Sequence, residues 1–280
     1  MSVSGTKTPR VKIQIHPTLP PVILLAFALG RGREFLLVLL AVTIHELSHV
    51  LVGRFFKLSV KRFVLTPLGE IAEIEKMESL TEIPRLAVVL AGPLVNFLLF
   101  GICQGYFATA NLALCLFNLL PAYPMDGGRF WHIILGRRLG VLRAGRIVTR
   151  WTRFFAGLLI AAGLVQAVLF SYNISLFCAG VYLIQNNRRE KLRLQWDFYR
   201  YFTARRLESI PLKKRTFKCF LFDGETSLLA MLQELRWDLY SVFLIAHQEK
   251  IIAAITEGAV IKAAYQPGAG RRAIDLLKND

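Results

Sequence analysis

The run LLAVTIHELSHVLVG, residues 39–53, sets two histidines and a glutamate among apolar side chains. His45 and His49 are four residues apart, so on a helix both imidazoles lie on one face, one turn above the other, within reach of a single tetrahedral zinc ion. Glu46 adjoins the first histidine, where a carboxylate can take a proton from water at a metal. Together they form H-E-x-x-H, a helix-borne metal-and-base motif. An acidic residue in the middle of a membrane span costs about 2.5–3.5 kcal/mol on insertion scales and therefore faces a partner or a wet cavity. A polar cluster that only hydrogen-bonds neighbouring helices would explain the polarity, but not these residue types at ligand spacing.

Zinc held by two histidines takes a third protein ligand and keeps one position open. That ligand must approach from another span at the same depth. The stretch FNLLPAYPMDGGRF, residues 117–130, offers Asp126. Pro121 and Pro124 prevent regular helix there, and the backbone carbonyls they free are tolerated at membrane depth only against protein or water. Gly127 and Gly128 permit tight backbone geometry next to the aspartate. Alone, Asp126 reads as the cap of a helix end; beside the H-E-x-x-H it reads as the third zinc ligand, with Glu46 as the base.

A bundle of spans has to position these groups. The chain has 280 residues, of which 54% are hydrophobic, and its mean hydropathy is +0.46, well above a soluble average. Residues 86–125 contain no Lys, Arg, Asp or Glu. As helix they would run about 60 Å, twice a bilayer core, so two spans are expected with a tight turn near Gly105 to Asn111. Six spans follow from the charge-free stretches: about 18–30, 35–53, 86–103, 109–125, 154–170 and 174–187. Residues 1–17, 54–85 and 129–153 hold 16 Lys and Arg against 2 in the opposite loops, which puts both termini of a multi-pass cell-membrane protein in the cytoplasm. His49 then lies near the cytoplasmic end of the second span and Asp126 at the same end of the fourth. The net charge of +16 is a topology signal and an attraction to anionic lipid, and no nucleic-acid partner is expected. The four cysteines are isolated and read as small buried apolar residues, and His16, His132 and His247 are expected away from the metal.

Two further regions carry readable patterns. In LSVKRFVLTPLGEIAEIE, residues 58–75, apolar side chains flank a Pro67-Leu68-Gly69 turn signal, which predicts a β-hairpin at the membrane surface. Its edge, with Val64, could bind an extended substrate by strand addition; a charged loop with local strand structure is the plainer alternative. From about residue 188 the composition changes. An amphipathic helix is expected first, then a strand at 217–222, a helix at 227–237, strands at 241–246 and 251–256 and a final helix after Gly258. This divides the chain into a transmembrane metalloprotease domain, 1–190, and a cytosolic linker helix with a small α/β domain, 191–280.

The marks H-E-x-x-H at 45–49, A-G-P-x-x-N at Ala91, Gly92, Pro93 and Asn96, and N-x-x-P-x-x-P-x-D-G from Asn118 to Gly127 resemble the site-2 protease family of intramembrane zinc metalloproteases, peptidase family M50. KIQIHP at 12–17 and VKRFVLTPLG at 60–69 are similar to its sporulation branch. Position 48 is Ser where the family often has Gly, and Glu70 replaces a common second Gly; neither removes a ligand. The resemblance implies one zinc per chain held by His45, His49 and Asp126, Glu46 as general base and acid, and Asn118 and Pro121 at the substrate backbone. It implies a membrane-associated protein substrate cut near the cytoplasmic face, a sigma-factor precursor during sporulation, and inhibitory membrane partners. The order of the C-terminal elements is similar to one half of a cystathionine-β-synthase-type (CBS) regulatory module. That likeness implies ATP or another adenine nucleotide as ligand and a homo-oligomer through this domain, with simple docking of substrate or partners as the alternative. The fold class is accordingly an α-helical polytopic membrane protein with a membrane-surface β-hairpin and a C-terminal α/β cytosolic domain. A non-catalytic scaffold or regulatory binder that retains a zinc site is the competing function, against which Glu46 argues, since a structural zinc needs no adjacent base.

Overall fold

In the computed structural model of the chain, the described residues are 12–58, 60–66, 69–74, 80, 82–169, 174–207, 217–236, 239–248, 250–264 and 272–279. They belong to two compact units, Met1–Leu120 with Met125–Gly127, and Pro121–Pro124 with Gly128–Asp280.

The first unit runs β1 (Lys12–Ile15), α1 (Leu19–Ala28), α2 (Gly32–Phe55), β2 (Val60–Thr66), β3 (Gly69–Ile74), α3 (Glu82–Ile102) and α4 (Gly105–Asn118). The expected hairpin forms as β2 and β3, antiparallel, with Val64 opposite Ile71. β1 adds in parallel on the other side of β2, with Gln14 opposite Val64, so β2 is the middle strand. α2 packs against α3, α4 and β3. It buries Ala41, His45 and His49 while Leu36, Leu40, Leu47 and Leu51 stay exposed. Polar groups inward and large aliphatics outward is the reverse of a soluble amphipathic helix, and it fits a helix whose outer face meets lipid.

α2, α3 and α6 (Val141–Leu169) are long and apolar enough to cross a membrane, and α1 is a shorter apolar helix. The expected span at 109–125 takes a different form. Cys103 and Gln104 make the turn, Gly105 adopts φ +66°, and α4 stops at Asn118. The Pro121 and Pro124 interruption then leaves 119–125 non-helical. Asp126 thus opens a new helix, α5 (Asp126–Leu139), instead of closing α4.

The second unit contains most of α5, then α6, α7 (Ser175–Leu207), β4 (Phe217–Asp223), α8 (Leu228–Gln233), β5 (Tyr240–His247), β6 (Lys250–Thr256), α9 (Glu257–Ala264) and a 3-10 segment, Ala273–Asn279. α6 and α7 pack as a helical pair, and α7 runs unbroken from the apolar segment through the amphipathic one. The C-terminal order of strand, helix, two strands and helix is the one the alternation of apolar runs predicts. β4 lies parallel to β5 and β5 antiparallel to β6. Leu228, Met231, Leu235, Phe243, Ile245 and Val260 form its buried core, and Ser227 caps α8 by accepting the Ala230 N–H.

Candidate metal centre

His45 and His49, one turn apart on α2, both turn toward α3. The His45 Nδ1–H donates to Asn96 Oδ1 at 2.8 Å, and the His49 Nδ1–H donates to the Val88 carbonyl at 2.7 Å. In neutral imidazoles these two bonds leave each Nε2 as the lone-pair donor available to a metal, the tautomer this hydrogen-bond network assigns. The two Nε2 atoms are 3.2 Å apart. Asp126 Oδ2 lies 3.2 Å from His45 Nε2 and 3.2 Å from His49 Nε2.

That triangle provides the test of metal fit. Three lone-pair donors pointing at one another without an intervening proton repel, and all three residues are buried, at 3%, 7% and 6% exposure. A cation between them removes the conflict. Donors bound about 2.0–2.1 Å from a tetrahedral zinc stand about 3.3 Å apart, close to the observed spacing. A set of two imidazoles and one carboxylate leaves the fourth position for a reactant, as in catalytic zinc sites. His45, His49 and Asp126 are the one such cluster among the described residues.

The packing that creates this geometry is specific. A Cβ on Gly92 would lie 2.6 Å from His45 Nε2 and closer still to His49 Nε2, so only glycine lets α3 approach the imidazole pair. At α5, a Cβ on Gly127 would enter the Leu119 and Leu120 carbonyls, which explains why the turn before Asp126 requires glycine after it.

The other candidates are placed as follows. Glu46 is half-buried on α2 directly beside His45. Asn118, the last residue of α4, donates through Nδ2 to the Leu114 carbonyl at 3.0 Å. Pro121 is half-buried in the non-helical turn. Val64 lies in β2 with a strand on each side, and its side chain is outside the described ones. His16 interacts with Thr18 at the start of α1, His247 is exposed, and His132 donates to the Val141 carbonyl. None of these three joins the metal cluster.

Sequence reasoning used Asn96 and Gly92 only as family marks and did not assign their roles. Asn96 is fully buried, and its Nδ2 has no partner among the described residues. The available signal was an amide one turn after a glycine in a stretch otherwise free of strongly polar groups.

A buried donor set of two histidines and one carboxylate among apolar helices fits a zinc ion with an open fourth position. Residues 34–105 match the model of peptidase family M50. Zinc metalloprotease MJ0392 of Methanocaldococcus jannaschii is 31% identical over 160 residues, 51% of this chain and 46% of that protein. Stage IV sporulation protein FB of Bacillus subtilis is 30% identical over 162 residues, 53% of this chain and 56% of that protein. The chain thus spans about half the length of the curated relatives it matches. The solved structure of a site-2 protease from Methanocaldococcus jannaschii shares the fold, with TM-score 0.52 and 22% identity, over 78% of this chain and 98% of that one. Residues 34–105 are thus similar to peptidase family M50, and the fold is similar to that of a site-2 protease.

Proposed function

We propose that the protein is an intramembrane zinc metalloendopeptidase that hydrolyses a peptide bond of a membrane-associated protein near the cytoplasmic face. The observation that carries this reading is the buried triangle of His45 Nε2, His49 Nε2 and Asp126 Oδ2, with Glu46 next in sequence to its first member. His45, His49 and Asp126 would hold the zinc. When bound, zinc supplies a Lewis acid that polarises a carbonyl and makes water a nucleophile at neutral pH. Asn96 and the Val88 carbonyl hold the two imidazoles in one tautomer and orientation. Glu46 takes the proton from the attacking water and returns it to the leaving nitrogen. Asn118 and Pro121 act on the substrate backbone, a role supported by their place in the N-x-x-P motif.

A helical substrate must be extended before its carbonyls are accessible. The strand order leaves β1 and β3, each paired among the described residues with β2 alone, as the edges that can receive it, with Val64 in the strand between them. The domain split near 190, the cytoplasmic placement of both termini and a multi-pass topology complete the reading. So do a CBS-like C-terminal domain with ATP as ligand, and association through that domain. The 30% identity to a stage IV sporulation protein supports a role in sporulation, for which the sequence resemblance implies a sigma-factor precursor as substrate. Co-expression with membrane-tethered precursors tests the whole. Wild type should process one of them, and Glu46→Gln should keep zinc and stop cleavage. Equal processing by both would end the catalytic assignment.

A further inference from the structure

His132 takes no part in the metal cluster, yet it is buried. Its Nε2–H donates to the Val141 carbonyl at 3.0 Å. Val141 opens α6, and its own N–H donates to the Leu235 carbonyl just beyond α8, at 3.1 Å. Its side chain is 2% exposed and belongs to the same apolar core as Leu228, Met231, Leu232 and Leu235. Arg143 closes the contact, with its guanidinium 2.7 Å from Glu234 and its Nε–H donating to Gln233 Oε1 at 3.4 Å. Gly140 turns the corner at φ +85°, and a Cβ there would enter the Gln233 carbonyl. The α5–α6 corner is therefore built into the interior of the C-terminal α/β domain.

The His132 ring also meets Tyr123 edge to face, with centroids 6.1 Å apart. Tyr123 is fully buried, and its N–H donates to Thr152 Oγ1 of α6 at 2.8 Å. It stands in the turn that leads into Asp126, and Asp126 is the first residue of α5, the helix that carries His132. One imidazole thus packs against the turn that delivers the carboxylate while it holds the corner that the C-terminal domain has enclosed.

We propose that His132 is a positioning residue for Asp126, and that the C-terminal domain sets it through the Gly140–Val141 corner. The inference rests on Asp126 being a zinc ligand. Groups that orient a ligand typically govern metal affinity by about 10–100-fold, because the ligand's direction and not only its presence decides the bond. Folding and docking of the C-terminal domain are thereby coupled to metal retention.

The test is zinc affinity of the full-length protein in detergent, by competition with a chromophoric chelator well below the melting temperature. Asp126→Asn is the control. His132→Leu removes the donor and should weaken zinc by about tenfold, whereas His132→Gln keeps an N–H near the same place and should stay near wild type. Arg143→Glu should weaken zinc by about threefold, and adding Glu234→Arg should restore it. Retention unchanged in Asp126→Asn would overturn the ligand assignment itself. Loss in Asp126→Asn with wild-type affinity in His132→Leu and Arg143→Glu would overturn the positioning role. If His132→Leu does not fold, the Arg143 and Glu234 exchange at the surface decides alone. A purely structural role would lower the melting temperature without moving the affinity of the folded protein.

Discussion

The metal face of α2 and α3 and the core of the β4–β5–β6 domain are both buried, but by opposite means. In the C-terminal core Phe243 stacks on Phe220 and packs at a tilt against Phe222, at centroid distances of 5.7 and 5.9 Å, and burial itself is the driving force. At the metal face three acceptors converge at 3.2 Å, and burial works against them until a cation arrives. The first region holds itself together; the second is held by its surroundings and offers a place for a cation. Substitutions in the C-terminal core should therefore act first on stability, reaching the metal only through the Gly140–Val141 corner, whereas those at the metal face should act on metal binding directly.

The largest effect should come from Phe243→Ala. Phe243 is fully buried, and removing it should destabilise the C-terminal domain by about 3–5 kcal/mol. Hydrogen exchange across 217–264 would register this as lost protection in β4, β5 and β6. Gly92→Ala should do the reverse. Alanine is a better helix former than glycine, so α3 should survive, while its methyl group occupies the space of the two Nε2 atoms. Zinc content should fall, and cleavage should drop by about 10²-fold, the usual consequence of misplacing a reacting group by an ångström. A Gly92→Ala protein with full zinc content would refute the geometry of the site.

The two regions were also legible in the sequence by different signals. The C-terminal elements follow from alternation and apolar runs, which record burial, so their order was readable within a few residues. His45, His49 and Asp126 were readable because residue type and spacing record chemistry. The sequence was silent where a role depends on an approach between helices. Nothing local in Asn96 says that its oxygen accepts from His45, or in Gly92 that two imidazoles occupy the place of its side chain. The same holds for α4 and α5. Hydropathy runs smoothly from 109 to 125, but backbone chemistry at Pro121 and Pro124 ends the helix and lets Asp126 start another. β1 was missed as a strand because its pairing with β2 is made across two intervening helices.

Asn96 sharpens the contrast at smaller magnitude. Asn96→Ala removes the acceptor for His45 Nδ1 and frees the ring to change tautomer, so zinc affinity should fall by about 10–100-fold with little loss of fold. Asn96→Asp keeps an acceptor oxygen in place and should hold zinc better than the alanine variant. Chelator competition distinguishes the two, and equal affinities would mean that the His45 bond does not orient the ligand.

The smallest effect belongs to the cap of α8. Ser227 accepts the Ala230 N–H at 3.3 Å, and Ser227→Ala should cost about 1 kcal/mol of C-terminal stability. That loss is too small to unfold a domain whose core is intact, so Val141 should remain enclosed and zinc affinity should match wild type. Melting followed in parallel with chelator competition checks both halves. A Ser227→Ala protein that loses zinc while its C-terminal domain stays folded would mean that the contrast between the two regions is drawn in the wrong place.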